Sequence, residues 1–345
     1  MPRESPQANL ANATHMDLTS NLLRQLCAPQ QPESCKELDL DGNFLESMGI
    51  SKLTRWPKLQ DFPLLKRIYL AGNAIELLPT EMSHPNLTWL DLSENQLSDL
   101  SGIQYLTQLT HLNLAHNLLT GVQEIQSLSN LNWLNLSHNA ITDMPDWSDH
   151  PSLQWLALSG NRRLKHINTL GSAPNLEELY LKRLRIEDFS PLAKLDKLEA
   201  TYLSPLTLPS LVPLATLPSL KRLHLHLNLL FESGLWPEFP FIEELSLLKS
   251  PIPGLTIPKE MPRVKKLVIE HWGLEKLPYD LHCPQLQSLS LRHNPLREWP
   301  KAYLLKELKQ LDVSHTPLAP LPFPEKEHFP HLIIHRNLPQ IKKSS

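Results

Sequence analysis

Glycine is scarce in this chain: 10 of 345 residues, none of them in a loop of the kind that cradles phosphate. Cysteine is scarcer still, with Cys27, Cys35 and Cys283 the whole set. The first twenty residues contain no apolar signal core. No stretch reaches the ~18 consecutive apolar residues that a membrane span needs. A cytoplasmic location without a membrane span is therefore expected. Charge of one sign is also lacking. The net is -3 at pH 7 with a pI near 6.6, so no global basic field argues for nucleic acid. Walker loops, G-x-S-x-G, H-E-x-x-H and C-x-x-C pairs are all missing. No signal for an enzyme remains, and no cofactor is expected.

What is present is proline, 32 residues of it, and a repeat. The pattern L-x-x-L-x-L-x-x-N-x-L returns thirteen times from Cys35 to Leu308, and a degenerate fourteenth copy begins at Phe329. A clear copy reads Leu131, Leu134, Leu136, Asn139, Ile141. The step is 22 residues almost throughout, after one opening step of 30. Within each copy the central x-L-x-L-x has the period-two alternation of a short strand, with the leucines inward. Prolines mostly sit at turns between copies and exclude long helices there. Several returns carry an apolar residue before Pro, at Leu78, Met144, Leu277, Trp299 and Leu321, and these are expected in the core. The Asn column runs through Asn43, Asn73, Asn95, Asn117, Asn139, Asn161, Asn228, Asn294 and Asn337; its amides can bond backbone groups where the chain leaves the sheet. Leu184 and Leu206 replace Asn, so the turn must differ there.

These residues resemble the leucine-rich-repeat family, and the ~22-residue step resembles its internalin and phosphatase-regulator subclasses. The resemblance implies an α/β leucine-rich-repeat solenoid, a curved right-handed superhelix. A parallel β-sheet would line the concave face, and short turns or 3-10 segments the convex side. Three regions follow. Residues 1–34 would be a disordered start and a helical N-terminal cap. Residues 35–328 would hold thirteen repeats, and residues 329–345 a terminal half-repeat cap with a basic tail. The cap helix is expected over 16–27, where Leu18, Leu22, Leu23 and Leu26 share one face. Cys35 occupies an apolar repeat position, which points to a buried free thiol; a Cys27–Cys35 disulfide is the alternative.

Function must then be read between the leucines. The outward column before the second motif leucine holds Arg67, Trp89, His111, Trp133, Trp155, Glu178, Ala200 and Arg222. The next outward column holds Tyr69, Asp91, Asn113, Asn135, Ala157, Tyr180, Tyr202 and His224. Three outward tryptophans have no rationale in the core pattern, and exposed aromatic patches mark interaction sites. The competing reading is that the rings lie flat on one another and rigidify the sheet. The outward charges also change sign along the chain. Glu37, Asp39, Asp41, Asp91 and Glu94 outweigh Arg67 in the early repeats, while cations prevail later.

The expected function is a monomeric scaffold that binds a protein or peptide on its concave face. Trp89, His111, Trp133, Trp155, Tyr180 and Tyr202 would form the energetic centre. Asp91, Asn113, Asn135, Arg222 and His224 would supply polar contacts. Alternatives are a bacterial effector exported without a cleavable signal, a regulatory subunit of an enzyme, or a metal-dependent enzyme using His224 and His226. A zinc site needs further ligands that the flanking strands do not offer. Asp39 to Glu46 resembles the start of a calcium loop but lacks its distal Glu. Five histidines (His116, His138, His271, His293 and His315) share one register, just before the Asn column, and read as a solvated edge.

Overall fold

The computed structural model describes residues 15–17, 35–39, 62–80, 82–204, 210–226, 236–248, 257–323 and 326–336. It divides into two compact units, Met1–Asn161 and Arg162–Ser345. In the first unit the strands are β1 (His15–Asp17), β2 (Glu37–Asp39), β3 (Arg67–Tyr69), β4 (Trp89–Asp91), β5 (His111–Asn113), β6 (Trp133–Asn135) and β7 (Trp155–Ala157). In the second they are β8 (Glu178–Lys182), β9 (Ala200–Ser204), β10 (Arg222–His226), β11 (Glu244–Leu248), β12 (Lys266–Glu270), β13 (Ser288–Ser290), β14 (Gln310–Asp312) and β15 (Ile333–His335). Within each unit every strand pairs in parallel with its sequence neighbour. This is the parallel sheet of a leucine-rich-repeat solenoid, and it follows from the constant step. Each strand can satisfy its backbone only on the neighbouring copies.

The period-two reading sets the faces. In β4, β5 and β6 the central Leu90, Leu112 and Leu134 are buried, and the residues on either side are half-exposed. Returning segments are 3-10 turns, such as Ile103–Tyr105 and Gln123–Ser127, or single helical turns at Val212–Ala215 and Ala302–Leu305. Gly102 shows how closely consecutive returns pack. Its φ is +104°, and a Cβ there would lie 2.2 Å from the Pro79 carbonyl oxygen.

The Asn column binds one copy to the next. The Asn117 amide donates to the Leu92 carbonyl of the preceding repeat at 2.9 Å and to Leu114 O at 3.1 Å. Its Oδ1 accepts from Leu97 N–H at 2.9 Å. Asn95, Asn139, Asn161 and Asn294 repeat this pattern. Where Leu184 stands in place of Asn, β8 runs five residues, against three in β4 to β7. Leu206 lies outside the described residues.

Several expectations need correction. The cap helix over 16–27 is not formed at its start: His15–Asp17 is a strand, aligned as Met16 opposite Leu38. Edge pairing with β2 satisfies backbone groups that a helix laid over the end would leave open. Residues 18–27 lie outside the description, as does most of the calcium-like loop. The terminal copy slips by two residues. Leu311 faces Ile334, so Ile333 and His335 occupy the outward columns. A two-residue slip keeps every side chain on its own face, which a one-residue slip would not. Among the residues before proline, Leu78 and Met144 are buried, whereas Leu277 and Trp299 are half-exposed and Leu321 is exposed. Phe323, two residues further on, fills the core in place of Leu321, and Trp299 packs edge-on against it at 5.1 Å. Cys35 and Cys283 are buried free thiols, and burial pushes the Cys283 pKa up to about 12.

Candidate functional site

Strand register brings the first-unit aromatics into one file. Trp89, His111, Trp133 and Trp155 are direct partners across β4 to β7. Trp89 stacks on His111 with ring centroids 4.4 Å apart, and Trp133 stacks on Trp155 at 4.4 Å. Trp89 and Trp133 lie 6.3 Å apart and 13° from parallel, and the His111 ring lies 6.4 Å from Trp133. Tyr69 and the Arg67 guanidinium, 5.9 Å from the Trp89 ring centroid, close one end. All four rings are half-buried. The tryptophans are thus not simply free in solvent. They spend their ring faces on one another and present their edges. Among the described residues, no acceptor takes the indole N–H of Trp89 or Trp133. Burial holds the His111 imidazole below its ordinary pKa of 6.5, with the Arg67 charge adding to the effect.

The neighbouring column, Asp91, Asn113 and Asn135, is committed to its own turns. Asp91 Oδ1 accepts from Ser93 N–H at 2.9 Å and from Ser93 Oγ at 2.6 Å. Asp91 Oδ2 accepts from the Asn113 amide at 3.0 Å. Asn113 Oδ1 takes Ala115 N–H, and Asn135 Oδ1 takes Ser137 N–H. The recurring acid or amide two residues before a turn N–H was legible in the sequence as a local capping signal.

In the second unit the aromatic file stands in the other outward column. Tyr180, Tyr202 and His224 stack at 4.2 and 4.3 Å, within 4° of parallel. Lys182 Nζ lies 5.2 Å from the Tyr202 ring centroid. In the first outward column Arg222 reaches over the fully buried Ala200 to Glu178, a 2.7 Å ion pair two strands away. A larger residue than alanine at 200 would block that bridge. Glu178 also accepts from Tyr180 Oη at 3.0 Å. Burial first, and this bond second, push the Tyr180 hydroxyl far above its ordinary range. His224 is held below 6.5, chiefly by burial. One face of its ring is closed by Tyr202, and no group of three His, Cys, Asp or Glu among the described residues is arranged to hold a metal. By sequence these aromatics stand in two outward columns but group as one energetic centre. The structure places them in two files, one in each unit.

Two features escaped the sequence reading. Trp147 is fully buried and meets His150 at 5.3 Å, while His150 Nε2 bonds Ile125 O at 3.0 Å. The register before the Asn column is not merely a solvated edge. Glu94, His116, His138, Arg183, His271, His293 and His315 all have φ between 54° and 59°. This left-handed turn position favours Gly, Asn, Asp and His.

Residues 63–119 and 123–163 match the family model described as leucine rich repeat. Comparison with curated proteins finds no match. Among solved structures, the internalin inlF of Listeria monocytogenes is similar at TM-score 0.64 and 20% identity, covering 88% of each chain. A leucine-rich-repeat protein of Leptospira interrogans is similar at TM-score 0.52 and 22% identity, covering 94% of this chain and 96% of its own. TLR13, solved in complex with ssRNA13, gives TM-score 0.65 at 22% identity, covering 95% of this chain and 51% of its own. At such identities the likeness is one of fold.

Proposed function

We propose that this chain, which resembles leucine-rich-repeat proteins such as internalins in fold, binds a protein or peptide partner through the aromatic file of its sheet. Leucine-rich-repeat solenoids serve in general as protein-recognition scaffolds, without catalysis of their own. The observation that carries the reading is the stack Trp89, His111, Trp133 and Trp155. Core packing does not require it, because Leu90, Leu112, Leu134 and Leu156 already fill the inner face of the same strands. Rings locked by stacking lose little side-chain entropy when a partner arrives, which favours them as binding anchors. The unpaired indole N–H groups of Trp89 and Trp133 supply direction. A partner's carbonyl groups would accept from them across the ring edges.

Tyr180, Tyr202 and His224 form the corresponding anchor in the second unit, with Arg222 held in place by Glu178. Asp91, Asn113 and Asn135 then act as positioning residues, since their oxygens are committed to turn N–H groups. The scaffold acts as a monomer in the cytoplasm. Among the described residues no helix is long and apolar enough to cross a membrane. The same surface would serve an exported effector or a regulatory subunit, and the captured partner tells them apart.

The test is affinity capture with the wild type and with the Trp133→Ala, Trp155→Ala double variant. Loss of two anchors at roughly 2 kcal/mol each should weaken binding about a thousandfold. If the variant is folded by circular dichroism and retains the same partner at unchanged affinity, the aromatic file is not the site.

A further inference from the structure

The edge where the chain leaves the sheet carries histidine ladders that the aromatic site does not use. In the second unit His271, His293 and His315 stack in series, at 4.1 Å and 9°, then at 4.4 Å and 4°. Each sits in the left-handed turn, with φ of 54°, 57° and 58°. Backbone bonds tie each turn to the next: His271 N–H to Arg292 O at 3.3 Å, and His293 N–H to Ser314 O at 3.2 Å. Asparagine would suit that backbone equally well. Among the described residues, nothing donates to or accepts from any of the six ring nitrogens. The rings close each other's inner faces, and their nitrogen-bearing edges remain for a ligand.

We propose that His271, His293 and His315 form a proton-gated docking strip for an acidic peptide. Neutral imidazoles stack without conflict. As pH falls through the histidine range, protonation places like charges about one strand spacing apart. A carboxylate bridging two successive imidazolium edges relieves that repulsion. Proton uptake and peptide binding therefore assist one another, and by linkage the assistance is reciprocal.

The surrounding charges are already committed. Glu270 accepts from Ser290 Oγ at 2.7 Å. Arg292 pairs with Asp312 at 3.8 Å, and Asp312 also takes Ser314 N–H at 2.9 Å. His335 stands opposite Asp312 in the register of β14 and β15. Burial, together with positive charge on His271, His315 and Arg292, holds His293 neutral down to lower pH than an ordinary histidine, while Glu270 acts in the opposite sense. The middle ring is thus the one whose protonation an incoming carboxylate assists most.

Single-stranded RNA would need open ring faces for its bases, and the stack leaves none between the rings. The first unit provides a natural contrast. Its ladder has only His116 and His138, 4.2 Å apart, and Glu94 takes the equivalent position in the preceding repeat.

The experiment uses the full chain, labelled octaglutamate, octalysine and octauridine, and fluorescence anisotropy at about pH 5.5 and about pH 7.5 in low salt. Octaglutamate should bind at least about tenfold more tightly at the lower pH, the change one linked proton produces over this range. The His271→Asn, His293→Asn, His315→Asn triple variant keeps a residue suited to the left-handed turn and should lose that gain, with its circular dichroism unchanged. The proposal is overturned if octaglutamate binds equally at both pH values, if the folded triple variant keeps the gain, or if octauridine or octalysine binds more tightly than octaglutamate at the lower pH.

Discussion

Replacing Asn117 with alanine tests the link between the repeat motif and the sheet that carries the aromatic file. The side chain is buried at 6% exposure and makes four bonds. Two of them cross to the preceding repeat: the amide donates to Leu92 O, and Oδ1 accepts from Leu97 N–H. Alanine offers neither, and no water reaches groups this deep without opening the turn. Two orphaned backbone groups at roughly 1–3 kcal/mol each put the loss at about 2–6 kcal/mol. Asn139 is the control. It makes the same bonds to Leu114 O and Leu119 N–H but is half-exposed, so water can substitute and the loss should stay near the low end, about 1–2 kcal/mol. Urea unfolding of both variants measures the difference. Hydrogen exchange at the Leu97 amide then localises it, since repeats open by neighbours and not all at once. A loss at Asn117 below about 1 kcal/mol, or equal losses at both sites, would show that the column does not stabilise the fold by satisfying buried backbone.

Burial should separate two tryptophans of equal size. Trp147→Ala empties a fully buried site and should cost about 3–5 kcal/mol, whereas half-buried Trp133→Ala should cost roughly half as much; a reversed order in urea midpoints refutes the packing account. His111, His224 and His293 are all held below the ordinary pKa of 6.5, so the unfolded chain binds protons more readily than the fold. Stability is then complete above about pH 6.5 and declines as pH falls below it. Urea midpoints that hold constant or rise from about pH 7 to about pH 5 would contradict this. Gly160→Ala should destabilise the first-unit histidine pair, because φ is +82° and the new Cβ would meet His138 Nδ1 at 2.8 Å. A thermal midpoint equal to wild type would count against that contact. Glu178→Ala removes both the Arg222 bridge and the Tyr180 hydrogen bond, and should bring the Tyr180 hydroxyl part of the way back toward its ordinary pKa, burial being the larger cause; ultraviolet titration of tyrosinate would follow it, and an unchanged titration would count against that bond.

The repeat motif was enough to place every described strand from β2 to β14. A parallel copy can pair only at the same phase of the repeat, and a one-residue slip would expose the leucines of Leu112 or Leu134. The outward identity of Trp89, Trp133 and Tyr202 followed from the same alternation. At the ends the period had no neighbour to enforce it. There His15–Asp17 became a strand instead of a helix start, and Ile334 took the place expected for Leu332.

Tertiary structure alone decided what the outward residues do with one another. Whether Trp133 lies open or stacks on Trp155 depends on side-chain torsions that no periodicity contains. Whether Arg222 bridges to Glu178 depends on Ala200 being the residue between them in space, 22 positions from each in the chain. The histidine register was visible as a sequence coincidence. Only its left-handed backbone and ring spacings near 4 Å turn it into a ladder. The repeat is written locally, since each strand needs only its two neighbours. The surface chemistry is written across repeats, and distances there exist only once the sheet has formed.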